Sequence, residues 1–76
     1  MGKRIRQMDA MAVEGLLKNY GFHLISQKGS HRKWRNDNRN LQVIVPMHRG
    51  RNLPTGTLRN ILVQADIPDS DWKTEN

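Results

Sequence analysis

The segment GFHLISQKGSHRKWRN, Gly21 to Asn36, decides how this chain folds. It opens on a glycine, which takes positive φ without steric cost and so can end a helix. FHLISQ (22–27) has the composition of a strand, Lys28-Gly29-Ser30 is a tight turn, and HRKWRN (31–36) returns as the second strand of a hairpin. Trp34 is the only large apolar residue of the returning strand, so alternation turns it toward a core. Arg32 and Asn36 then share its face, and His31, Lys33 and Arg35 share the opposite one. A bulge at the turn would reverse that parity.

Outward from the hairpin, both flanks read as helices. Before it, Asp9 is a good N-cap, and Val13, Leu16, Leu17 and Tyr20 fall at i, i+3, i+4 and i+7, one apolar helical stripe. After it come a second turn at Asp37-Asn38-Arg39-Asn40 and LQVIVP (41–46), a β-branched strand closed by a proline. MHRGRNLP (47–54) is a basic loop. Leu58, Ile61, Leu62 and Ala65 repeat the helical spacing, with Thr55 or a neighbour as the cap and Ile67-Pro68 as the stop. The predicted order is α-β-β-β-α, an α+β domain with two helices on one face of a three-stranded antiparallel sheet. Residues 1–8 read as a loosely ordered basic arm, 9–67 as the single domain, and 68–76 as an acidic tail carrying Trp72.

Seventy-six residues leave no room for a second core. The chain has no cysteine, so neither a disulfide nor a cysteine zinc site can staple it. No apolar run approaches a membrane span and no signal-type stretch follows the first residues, so a soluble, cytoplasmic protein is expected. The net charge is +6, and its distribution says more than its size. Between Gly15 and Ala65 lie nine Lys or Arg residues and a single acid, Asp37, while the other six acids lie outside that stretch. A basic middle between acidic flanks points to a polyanion, most often a nucleic acid.

Three histidines carry the remaining chemistry. On composition alone, His31 reads equally as a general acid/base, a phosphate contact or a solvated residue of a basic strand. His23 reads as structural or exposed, and His48 as a phosphate contact or a loop hydrogen bond. With no cysteine and no carboxylate cluster beside them, they form no recognisable metal site, and no cofactor is expected.

Four short motifs sharpen this. Gly21-Phe22, Gly29-Ser30-His31, Val45-Pro46-Met47-His48 and Gly56-Thr57-Leu58-Arg59-Asn60-Ile61-Leu62 occur in the order seen in the HicA family, and together they make the chain resemble it from about Val13 to Ile67. Each motif is weak alone; four in register are a strong signal. The resemblance implies a fold like the double-stranded-RNA-binding domain and a toxin that cleaves messenger RNA without a metal. It also implies that the histidine of the Gly-Ser-His turn, here His31, is catalytic, and that a HicB-type antitoxin covers the active surface. The arm MGKRIRQMDA is longer than the family's usual start, and the tail DIPDSDWKTEN runs past its last helix.

RNA carries its own nucleophile, the 2′-OH. Cleavage needs a base for that proton, an acid for the 5′-oxygen and cations for the charge that develops on phosphorus. Imidazole changes charge near neutral pH and can fill either proton role. Lys28, Lys33 and Arg35 are the nearest cations in sequence. The expected RNA contacts are the turn and its surroundings, Lys28, Gly29, Ser30, Arg32, Lys33 and Arg35, with His48, Arg49 and Arg51 of the basic loop. His48, if its loop folds toward the turn, a water that activates the 2′-OH, or a lysine could supply the second proton function. Two rivals remain: a non-catalytic module gripping RNA by shape, and an adaptor whose basic surface meets an acidic protein. The Gly-Ser-His turn favours the ribonuclease, because gripping phosphate needs no imidazole.

Overall fold

In the computed structural model, which describes residues 3–75, the expected α-β-β-β-α core is present and is flanked by two further strands. Asp9 starts helix α1, Ala10–Asn19, as its carboxylate accepts the Ala12 N–H at 2.8 Å. The helix ends in a Schellman motif: Gly21 sits at φ 89, its N–H donates to Lys18 O, and the Phe22 N–H donates to Leu17 O. The buried stripe is Ala10, Val13, Glu14 and Leu17, with Leu16 and Tyr20 only half-buried. The stripe expected from Val13 to Tyr20 is thus rotated, and a carboxylate lies within it.

Strands β2, His23–Lys28, β3, His31–Asn36, and β4, Leu41–Pro46, form one antiparallel sheet in that order. Gly29-Ser30 joins the first two with Gly29 at φ 58, the position a type II′ turn reserves for glycine. A register shift between Leu24 and Ser26 makes Ile25 a bulge. The bulge lies in β2 and not at the turn, so β3 alternates without interruption. Trp34 is 1% exposed and packs with Val43 and Val45 beneath both helices. Lys28↔His31↔Pro46 and Ser26↔Lys33↔Ile44 stand in line on the uncovered face.

Helix α2, Thr55–Gln64, buries Leu58, Ile61 and Leu62. Its cap departs from expectation. Pro54 holds the N-cap position with no side-chain cap hydrogen bond, because its ring presets the backbone entry (φ −54) and leaves Thr55 already helical. The stop comes before Ile67-Pro68: Asp66 adopts φ 57, and the Asp66 and Ile67 N–H groups donate to Val63 O and Leu62 O. This is a second Schellman ending with a non-glycine at its left-handed position, tied by its carboxylate to Arg39.

Within the described residues the two flanks pair with each other, while residues 1, 2 and 76 of the expected arm and tail lie outside the described residues. Strand β1, Lys3–Ile5, pairs antiparallel with β5, Lys73–Glu75, through the register Lys3↔Glu75, Arg4↔Thr74 and Ile5↔Lys73. A 3₁₀ turn, Asp69–Asp71, brings the chain back from α2 to make that pairing. Met8 and Trp72 are buried in the same core as the helices, because the sheet and two helices leave an apolar edge that a small domain must close.

Gly21 carries a testable cost. A Cβ there would lie 3.4 Å from Asn36 Nδ2, which donates to Tyr20 O, and an L side chain is strained at that φ. Gly21→Ala should destabilise the fold by roughly 1–2 kcal/mol. At about 4–8 °C per kcal/mol for a domain of this size, thermal unfolding would register the change clearly. An unchanged Tm would mean that the helix end relaxes freely.

A candidate nucleic-acid interface on the open sheet face

The uncovered face of the sheet gathers His31 with two cations. His31 is the first residue of β3, placed there by the two-residue turn, and Lys28 and Lys33 flank it on the same face by strand alternation. With Ser26 and Ile44 they line a shallow depression of about 420 Å³. Ile44 is 47% exposed, an apolar floor among cations. The ion pairs among the described residues involve neither Lys28 nor Lys33, so no carboxylate there compensates either ammonium.

The basic loop stands beside this depression. It is pinned at one end where the Met47 N–H donates to Ser30 O at 2.7 Å, and at the other where the Leu53 N–H donates to Met8 O at 2.8 Å. Between the pins, His48 to Arg51 forms a turn closed by the Arg51 N–H to His48 O, with Gly50 at φ 70. His48 and Arg49 line a second depression of about 420 Å³ with Asp9, Ala10, Met11, Met47 and Gly50, at the start of α1. Arg51 is exposed on the same loop and lines neither depression. The turn residues Gly29 and Ser30 are exposed beside His31.

Two of the expected contacts are otherwise engaged. Arg35 lies on the open face, but its Nε donates to Asp37 Oδ1 at 2.7 Å and its Nη2 to Asn40 Oδ1 at 2.8 Å. His23 approaches the same carboxylate, Nε2 to Oδ2 at 3.6 Å, so this end of the face is partly neutralised. Arg32 lies on the helix-covered face, as the Trp34 parity requires. Its Nε donates to Glu14 Oε2 at 2.7 Å and its Nη1 to Gln27 Oε1 at 3.1 Å. Arg32, expected as an RNA contact, is thus ion-paired with a buried carboxylate.

Glu14 is the site-related residue that sequence reading missed. It is 7% exposed, and its Oε2 also accepts Trp34 Nε1 at 2.8 Å. A buried carboxylate is tolerated only when its charge is paired and hydrogen-bonded, and Oε2 meets both conditions here through Arg32 and Trp34. Glu14 falls four residues after Ala10 and three before Leu17, on the buried stripe, but nothing near it in sequence marks it for burial. Among the described residues, no group of three or more His, Asp or Glu side chains is gathered as metal donors, and no helix is long and apolar enough to cross a membrane.

Residues 11–67, most of the chain, match the family model described as HicA toxin of bacterial toxin–antitoxin. No curated protein and no solved structure matches. The matched span runs from α1 to Ile67, which completes the Schellman ending of α2, and includes the hairpin and the whole His31 depression, while Asp9 and Ala10 of the second depression, β1 and β5 lie outside it. Four motifs in register, the α-β-β-β-α core and the family match agree, and the chain belongs to the HicA family of bacterial toxins, whose members act as the toxin of a pair with an antitoxin partner.

Proposed function

We propose that this toxin is a metal-independent endoribonuclease of messenger RNA, acting in the cytoplasm with His31 as its catalytic residue and inhibited by a HicB-type antitoxin that covers the open sheet face. The observation that carries the reading is the depression in which His31 stands between Lys28 and Lys33 on a face that no helix covers. A phosphodiester seated there meets an imidazole for proton transfer and two cations for the charge of the phosphorane. His31 takes the 2′-OH proton or supplies the one needed by the 5′-oxygen. The remaining proton role falls to His48 of the neighbouring loop or to water. The P–O5′ bond breaks as the 2′-oxygen bonds to phosphorus, leaving a 2′,3′-cyclic phosphate on one fragment and a 5′-OH on the other.

The test is cleavage of a defined RNA by the purified chain, with end-group analysis of the products. Cyclic phosphate ends, formed equally in EDTA, are expected. Activity that disappears with chelation and returns with magnesium would refute the scheme. RNA bound but left intact would favour the gripping module instead.

Binding and chemistry should separate. Arg49 and Arg51 are exposed and outside every ion pair among the described residues, which suits them to phosphate contacts. If each neutralises one phosphate, replacing both with alanine flattens the log–log salt dependence of RNA binding by roughly 1.4–1.8 units. Affinity should fall alike for all RNA sequences, since phosphate contacts carry no base information. Titrations at several salt concentrations give the slope. A slope left unchanged would move the phosphate contacts to the arm, at Lys3, Arg4 and Arg6.

A further inference from the structure

The turn that presents His31 is poorly supported by the sheet alone. Strand β2 is an edge strand with every residue exposed, and it bulges at Ile25, so only β3 holds it. One backbone bond, from Met47 N–H to Ser30 O, fixes the turn on the β4 side. On the β2 side the support comes from side chains. Gln27 Nε2 donates to Gly29 O at 3.1 Å, Gln27 Oε1 accepts Arg32 Nη1 at 3.1 Å, and Arg32 Nε donates to the buried Glu14 at 2.7 Å.

These contacts form one relay from helix α1 to the turn, and each partner leaves the next no choice. A guanidinium only donates and a backbone carbonyl only accepts, so the Gln27 amide has a single orientation that serves both. Glu14 is held in turn by Trp34 Nε1 and by its place in the core. The relay runs on the covered face, opposite the depression, and touches none of the groups that line it except through the backbone of Gly29.

From this we infer that Gln27 and Glu14 are positioning residues for His31: through Arg32 they anchor the Gly29-Ser30 turn to α1 and so fix where the imidazole stands. The inference rests on the proposed catalytic role of His31. Arg32 acts in the relay as a strut, its charge neutralised by Glu14, rather than as a phosphate contact. Reacting groups must be held close to their productive geometry, and a turn on a bulged edge strand would not do so unaided.

Gln27→Met keeps side-chain length and removes both hydrogen bonds at an exposed position. Glu14→Gln breaks the ion pair at the buried end. Single-turnover cleavage of one RNA by the full chain at saturating protein, with Kd measured separately, reads the effect. Gln27→Met should cut roughly tenfold more slowly, within the ~100-fold that a 1 Å displacement can cost. Its Kd and Tm should stay close to wild type, a pattern that a purely structural role would not give. Glu14→Gln should show the same rate loss with a lower Tm, and the double variant should be no slower than the slower single one, because both changes break one chain of contacts.

A Gln27→Met protein that cuts at the wild-type rate, or whose loss lies wholly in Kd, overturns the inference. If Glu14→Gln fails to fold, Gln27→Met alone still decides. His31→Ala in the same assay separates the two readings. If it is inactive while Gln27→Met is wild type, only the positioning role fails; if it still cuts, the catalytic assignment falls and the positioning role falls with it.

Discussion

His31→Ala is expected to lose RNA cleavage and growth arrest while remaining folded and bound to RNA. The side chain is exposed at the start of β3, and its loss opens no cavity. Exposed substitutions of this kind change stability by less than about 0.5 kcal/mol, so Tm should move by no more than roughly 2–4 °C. The rate has much further to fall. A positioned acid or base contributes about 10²–10⁴-fold, and no second histidine lines the same depression to replace it. The salt slope of RNA binding should be nearly that of wild type, because Lys28, Lys33 and the loop arginines remain. Cleavage at the wild-type rate would remove His31 from the chemistry. A Tm lowered by many degrees would make the residue structural.

The open-face position of His31 was legible because β3 contains one large apolar residue. Trp34 fixes the parity of HRKWRN, and nothing in that strand competes with it. The same reasoning could not see the bulge in β2. Leu24 and Ile25 are adjacent apolar residues that alternation cannot place on one face, and the structure resolves the conflict by inserting Ile25 as an extra residue. Helix α1 shows a different failure. Leu16 and Leu17 let two stripes, one residue apart, fit the same spacing, and the sequence offers no local reason to bury Glu14. The reason is tertiary: Arg32 and Trp34, eighteen and twenty residues away, supply the donors that make a buried carboxylate tolerable. The role of Arg32 was hidden for the same cause. Strand parity places Arg32 on the covered face, and only the tertiary pairing with Glu14 neutralises its charge there.

The termini were the least legible part. The pairing of β1 with β5 joins residues at opposite ends of the chain, and three-residue strands carry almost no periodic signal. Trp72 was the available clue. A tryptophan in an acidic tail reads as a lone aromatic until something is found for it to cover, and here it covers the edge of the core between α2 and the N-terminal strand.

That placement makes Trp72→Ala the substitution expected to cost most stability outside the family-matched region. Trp72 is 1% exposed; its Nε1 donates to Ile67 O at 2.8 Å, and its own carbonyl accepts the Arg6 N–H at 2.9 Å. The ring also lies 4.8 Å from Lys73 Nζ, so an indole, an ammonium and two backbone segments converge there. Truncating a buried tryptophan costs roughly 3–5 kcal/mol. A 76-residue domain has only about 4–11 kcal/mol in total, at 0.05–0.15 kcal/mol per residue. Tm should fall by roughly 12–40 °C, and much of the chain would be unfolded at growth temperature. Trp72→Phe keeps most of the apolar contact but leaves the Ile67 carbonyl without its donor, so its cost should be nearer the ~1–3 kcal/mol of an unsatisfied buried group. Toxicity should weaken in Trp72→Ala through loss of folded protein, and the surviving folded fraction should cut RNA at the wild-type rate, unlike His31→Ala. Thermal melts of the three proteins, with cleavage normalised to folded protein, distinguish these cases. A Trp72→Ala protein melting within a few degrees of wild type would show that the 11–67 unit stands without the clasp formed by its flanks.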